Sequence, residues 1–311
     1  MSSGSVEQAR RLAAIEALVC RDVGRKTADL IAANAGGLAA AARELAQATS
    51  VGLITGFFVP RGDVAAPETD GPVGTALLAA ALAACGLPVR IATDAPCAEA
   101  VRVAVTAAGR GSGGDGVAVD AVAVDDRPGL DRLLGDWRAR GLGHVIAIER
   151  CGRSADGKPR NMRGVDVSPW TAPLDDLFLG GPWRKLAVGD GGNEIGMGRL
   201  PAGLIARTVP NGAEIACVTA CDHLTVAGVS NWGAYGLMAA LAVLRPDWRA
   251  TIAKFLTAER DLAVTRAIVE KAGAVDGVTA LREPTVDGFG PDVHGPLVDE
   301  LGRIAWGEAA D

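Results

Sequence analysis

Hydrophobic positions along this 311-residue chain change their spacing near residue 50. Before that point apolar residues recur three and four apart, which predicts helices over 6–20, 22–33 and 37–48. Beyond it, short apolar runs alternate with helical stretches. VGLITGF (51–57), VRIAT (89–93), VAVDAVAV (117–124), HVIAIE (144–149), KLAVG (185–189), EIACV (214–218) and HLTVAG (223–228) read as strands. Several are apolar without a break, as strands of a parallel sheet covered on both faces are. Helical patterns fall at 73–85, 97–109, 128–140, 172–179, 231–244, 247–272 and 296–306. The alternation predicts an α/β protein: a three-layer α/β/α sandwich with a mostly parallel, doubly wound sheet behind an N-terminal helical leader. The expected organisation is a single α/β domain over 1–311, with the leader at 1–48, a motif-bearing core at 50–245 and C-terminal helices at 246–311.

Polar residues gather behind the strands. TGFFVPRGDVAAPETDGPVG follows the first, ERCGRSADGKPRNMRG follows HVIAIE, GDGGNEIGMG follows KLAVG and GVSNWGAYG follows HLTVA. Ligands of open parallel sheets bind at the carboxyl ends of the strands, so these four loops are expected to converge on one crevice. GDGGNEIGMG displays Asp190, Asn193 and Glu194 on a glycine-rich backbone. Capping of the next helix accounts for the acids but not for so many glycines, which let a backbone approach a ligand closely. The two acids, four apart, suit direct acid–base work and leave open a divalent cation, Mn²⁺ or Mg²⁺, held by Asp190 and Glu194. Arg153 and Arg163, in a loop that also carries Lys158 and Arg160, suit capture of a carboxylate. Glu68, Thr69 and Asp70 precede a helix, as caps or as partners for a substrate amine; Ser230 and Asn231 stand at a similar junction of strand and helix. A histidine at a strand start is usually structural, and only its neighbours make His223, with Asp222, a candidate.

Composition narrows the partner. A net charge of -6 with no Lys/Arg-rich block argues against nucleic acid. The longest apolar run, TALLAAALAACGLPV, is broken by Gly86 and Pro88 and is shorter than the roughly 20 residues a membrane helix needs. The N-terminus carries Glu7, Glu16 and Asp22 and no apolar signal core, which makes the cytoplasm the expected compartment. Six cysteines without a CxxC pair read as reduced thiols, and GRGSGGDG (109–116) reads as a surface turn. GDGGNEIG lacks the GxGxxG spacing and no Walker-type spacing occurs, so nucleotide binding is not indicated and no organic cofactor is expected. GDGGNE mimics the magnesium loop of haloacid-dehalogenase-type phosphatases, but no strand end offers their aspartate nucleophile. A small-molecule partner is left, with a homo-oligomer open.

Taken together, TGF, PETDGPVG, GRSADG with RNMRG, GDGGNEIGMG and DHLTVAGVSNWGAYGL resemble the D-glutamate cyclase family, in the family's order, across about residues 50–245. The resemblance implies a cytosolic bacterial member of a family whose vertebrate form is mitochondrial and converts D-glutamate to 5-oxo-D-proline with loss of water. The vertebrate protein carries another large domain ahead of this region, where this chain has its short helical leader. The implied substrate is a small acidic amino acid. The implied catalytic residues are Asp190, Glu194, Asp222 and His223; Thr55, Gly56, Glu68, Thr69, Asp70, Arg153, Asn161, Arg163, Asn193, Ser230 and Asn231 are the implied substrate-binding set. A non-catalytic binding protein for a small acidic ligand would use the same arginines and glycine loops without needing Asp190 or Glu194, and is the competing reading beside the phosphatase.

Overall fold

The structure is a computed structural model that describes residues 3–111 and 116–307. Among these residues the strands are β1 (Val51–Thr55), β2 (Phe58–Arg61), β3 (Val64–Pro67), β4 (Val89–Asp94), β5 (Ala118–Val122), β6 (His144–Ile148), β7 (Arg184–Gly189) and β8 (His223–Val226). Six of them form one sheet in the order β5-β4-β1-β6-β7-β8, with every neighbouring pair parallel. The chain starts at the centre with β1, builds outward through β4 and β5, and returns to the other side of β1 with β6. The strand order therefore reverses between β1 and β6, where the carboxyl ends of open α/β sheets take their ligands.

Separate apolar clusters cover the two faces of the sheet, as the three-layer expectation requires. On one face, helices Pro72–Ala84 and Ser230–Leu244 are buried along nearly their whole length, which explains why both are apolar all round. They meet closely at their first turns: a Cβ on Gly74 would come within 2.9 Å of the Ala234 Cβ and the Asn231 Cα. Glycine at this position is what lets the two helix N-termini stand side by side behind the crevice. On the other face Trp137 and Trp183 pack edge to face, and both are buried.

Several segments depart from the pattern read off the chain. EIACV does not form a strand; Asn211, at φ 58°, starts a helical turn Gly212–Ile215. The Cys217 and Val218 N–H groups that follow donate to the carbonyls of Gly192 and Arg153, so their bonds go to the crevice loops and not to a sheet edge. The expected helix over 22–33 is confined to Ala28–Ala33, because Asp22 accepts from the Gly24 and Arg25 N–H groups and holds that stretch as a turn. The stretch after β1 contains the antiparallel hairpin β2–β3. The region 247–272 splits into Arg249–Ile252 and Ala258–Ala272, the second capped by the Thr257 side chain. The last helix, Pro291–Trp306, begins earlier than expected, with proline at its first position. Part of the GRGSGGDG turn, 112–115, lies outside the described residues. All six cysteines are unpaired.

One buried ion pair ties the strand ends together. β6 stops at Ile148, Glu149 takes the left-handed conformation at φ 42°, and Arg150 turns inward until it is 1 % exposed. Its guanidinium donates to Asp94 at the end of β4 (2.5 Å), to the Gly56 carbonyl just past β1 (2.8 Å) and to the Ala172 carbonyl (2.7 Å). Removing one partner of such a pair leaves a buried charge without compensation. Arg150→Met is therefore expected to cost about 3–5 kcal/mol in a urea unfolding series; an unchanged midpoint would show that the pair does not hold the strand ends.

Candidate functional site

A cavity of about 360 Å³ opens at the carboxyl ends of the strands, beside the β1–β6 switch point. Its volume lies at the lower end of the usual range for small-molecule sites. Glu149, Asp190, Asn193, Asn161, Met162 and Arg163 line it from the loops after β6 and β7, and Phe57, Val59 and Glu68 from the region of the hairpin. Arg25 and Lys26 enter from the leader; Gly277, Val278 and Asp287 enter from the segment before the last helix. A wider groove of about 530 Å³ runs between helices Ala98–Gly109 and Ala258–Ala272, but no motif loop reaches it.

Beneath the cavity the two adjacent helices cap each other. Asp70 precedes Pro72–Ala84, yet its carboxylate accepts from the Ser230 (3.0 Å) and Asn231 (2.8 Å) N–H groups that open Ser230–Leu244. Asn231 returns the contact, its Oδ1 accepting from Gly71 (3.0 Å) and Gly74 (2.8 Å). The N–H groups that open Ser230–Leu244, and the positive end of that helix's dipole, are thus aimed at the Asp70 carboxylate, while the start of the other helix is capped by the Asn231 amide oxygen. The Ser230 hydroxyl, on the same turn, donates to Glu149 Oε2 at 2.6 Å.

The GDGG turn is shaped from inside. Glu194 accepts from the backbone N–H groups of Asp190 (2.9 Å), Gly191 (2.6 Å) and Gly192 (2.7 Å). Gly192 sits at φ 105°, a conformation a side chain would strain. The folded turn leaves Asp190 facing the cavity, where Arg25 Nη1 reaches it at 2.7 Å while Nη2 reaches Asp287 at 2.6 Å.

The electrostatics are lopsided. Oxygen atoms of Asp70, Glu149 and Asp190 all lie within 4.8 Å of one another, and all three residues are buried. Burial pushes each of the three carboxyls well above its usual range, and neighbouring carboxylates push the same way. Arg25 pulls Asp190 and Asp70 back down, as the N–H groups of Asn231 and Ser230 do for Asp70. Glu68 is raised by burial, then by Asp287 and Asp70. For Arg25 burial opposes the charge, but Asp190, Asp287 and Asp70 outweigh it and hold the guanidinium protonated.

Most of the residues expected from the sequence meet here. Glu68, Asn161, Arg163, Asp190 and Asn193 line the cavity, and Thr55, Thr69, Asp70, Ser230 and Asn231 are buried within or beside the capping network. Others the structure places elsewhere. Asp222 and His223 stand at the amino end of β8, where Asp222 accepts from the Lys185 N–H and His223 pairs with Glu44 at 3.4 Å. The sheet lies between them and the crevice, which takes both out of the expected catalytic set. Arg153 pairs with Asp176 at 3.0 Å and does not line the cavity, and Gly56 contributes its carbonyl to Arg150. Glu194 is occupied by its own turn, so the carboxylates beside Asp190 are Asp70 and Glu149. Arg25, Lys26, Glu149 and Asp287 were not expected; the signals were a strand that ends in glutamate and the glycine-flanked VGRK and VDGFG stretches.

A doubly wound α/β protein with a charged, largely buried cavity at its switch point is a small-molecule binder or enzyme by class. A family model described as D-glutamate cyclase-like, C-terminal, matches residues 15–302. Human D-glutamate cyclase, mitochondrial, is 32% identical over 262 residues, covering 78% of this chain and 40% of the human protein. The chain belongs to the D-glutamate cyclase family, and it spans less than half the length of that relative. Among the described residues no helix is long and apolar enough to cross a membrane.

The role of Glu194 in shaping its turn can be tested apart from any activity. Glu194→Gln puts an amide NH₂ against at least one of three converging N–H donors. It is expected to lower stability by about 1–3 kcal/mol in urea unfolding followed by circular dichroism, whereas a fully stable variant would mean the turn does not depend on the carboxylate.

Proposed function

We propose that this chain converts D-glutamate to 5-oxo-D-proline and water. Family membership supports the reaction class, and the observation that carries the reading is the charge layout of the cavity. Its inner wall holds Glu68, Glu149, Asp190 and Asp287, while Arg163 and Lys26 stand exposed at its mouth, where neither side chain has an ion pair among the described residues. A small amino acid carrying one ammonium and two carboxylates is complementary to that layout.

In this reading the α-carboxylate meets Arg163 and Lys26, and the α-ammonium points inward to Glu68, whose Oε1 has no hydrogen-bond partner among the described residues. Holding the α-carbon by both of its charged groups fixes the nitrogen and leaves only the side chain to fold back until the γ-carbon comes within reach, an orientation that lowers the barrier to ring closure. The nitrogen then attacks the γ-carboxyl carbon: a C–N bond forms and a C–O bond breaks. The two protons lost by the nitrogen leave with the departing oxygen as water, and the carboxyl groups of the wall are within reach to relay them. No oxidant or reductant enters the balance.

Purified protein incubated with D-glutamate should lose one water per turnover by mass, and the variants should separate the roles. Glu68→Gln is expected to lower kcat by roughly 10²-fold or more. Arg163→Ala should raise KM by about tenfold, the modest effect of a charged hydrogen bond at an exposed mouth. His223→Gln, at the far end of the sheet, should leave both constants within about twofold. Loss of turnover in His223→Gln with full activity in Glu68→Gln would overturn this assignment.

A further inference from the structure

We infer that Asp70, Glu149 and Asp190 form a binding site for one divalent cation of the Mg²⁺ or Mn²⁺ type. Their spacing fits: octahedral oxygen ligands at about 2.1 Å from an ion stand about 3 Å apart when adjacent and about 4.2 Å apart when opposite. The three carboxylate oxygens lie within 4.8 Å of one another, so a small inward adjustment brings all three onto one ion. The set is all carboxyl oxygen, with no histidine or thiol among the three, which suits hard cations over zinc or copper.

Each carboxylate is also held in place by at least one hydrogen-bond donor. Asp70 is fixed by the N–H groups of Gly71, Ser230 and Asn231, Glu149 by the Ser230 hydroxyl, and Asp190 by Arg25. Such contacts orient metal ligands while leaving lone pairs for the ion. Ion pairs within the fold do not balance the group, because the two Nη atoms of Arg25 reach Asp190 and Asp287 and, among the described residues, no ion pair reaches Asp70 or Glu149.

An independent sign comes from polar atoms left without partners at the same place. Glu68 is 6 % exposed, and among the described residues its Oε1 receives no hydrogen bond although it lines the same cavity as Glu149 and Asp190. Thr55 is fully buried and its Oγ1 is also unpartnered. A Cβ on Gly71 would come within 2.8 Å of the Glu149 Cβ and 2.9 Å of that hydroxyl, so the chain keeps this corner clear of side chain. A cation there would act on a bound carboxylate as a Lewis acid, drawing electron density from its carbon. The inference concerns the ion alone and does not depend on which substrate the cavity takes.

The test is Mn²⁺ titration of the full chain, stripped of metal, by calorimetry in the absence of D-glutamate. One saturable site per chain is expected, competed by Mg²⁺, and weakened at least about tenfold by Glu149→Gln and by Asp190→Asn, while His223→Gln binds as the parent does. A measurement on the unaltered chain covers the case in which a variant does not fold: Mn²⁺ should broaden the backbone amide signals of Gly71, Asp190 and Ser230 and spare those of Lys185 and His223. No saturable binding, binding unaffected by both cavity substitutions, or broadening confined to other residues would overturn the site. Turnover without Mn²⁺ binding would sink this inference and spare the cyclase reading; Mn²⁺ binding without turnover would do the reverse.

Discussion

Buried negative charge is the constraint around which this protein is arranged. Glu68, Glu149, Asp190 and Asp287 line one cavity with Asp70 buried beneath it, and Arg25 is the guanidinium that pairs with two of them, Asp190 and Asp287, among the described residues. Taking a carboxylate out of water costs several kcal/mol even after relaxation. The fold meets that cost with oriented donors: the N-terminus of helix Ser230–Leu244 on Asp70, a hydroxyl on Glu149 and a guanidinium on Asp190. These offset only part of it, which is why the carboxyls remain displaced toward their protonated forms. The remainder is carried by the apolar core, and above all by helices Pro72–Ala84 and Ser230–Leu244, which are packed tightly enough to hold their own N-termini against an acid.

Features legible in the sequence were those that depend on local pattern. Unbroken apolar runs gave the parallel strands, because a strand covered on both faces has no polar side to show. Loops rich in glycine and charge, each just after a strand, gave the crevice. Less legible was the work each acid does inside its loop. Glu194 reads as a displayed ligand, yet three backbone N–H groups two to four residues away claim it. Glu149 reads as the last residue of a strand, yet a left-handed backbone turns it into the cavity. Asp222 and His223 belong to the same continuous motif as Ser230, but β8 separates them, and four residues of strand span about 13 Å. A motif that crosses a whole strand touches both ends of the sheet, and only one end holds the crevice.

Long-range pairing was illegible for a simpler reason. Arg25 and Asp190 are 165 residues apart, and no periodicity links them. The leader and the segment before the last helix each look like accessory structure, yet Arg25 from one and Asp287 from the other close the cavity over the strand ends. EIACV shows the opposite case, in which local β character is overruled because its N–H groups are needed by the carbonyls of Gly192 and Arg153.

Arg25 therefore has two roles that pull against each other. It supplies the charge that permits Asp190 and Asp287 to be buried, and it occupies room in the cavity that a ligand must share. Any positive group that enters beside Asp190 lowers the cost of burying that carboxylate and so weakens the dependence of Asp190 on Arg25. A carboxylate entering with it offers the guanidinium a new partner. Arg25 therefore makes the state of the cavity and one of the contacts between the leader and the segment before the last helix parts of the same charge balance.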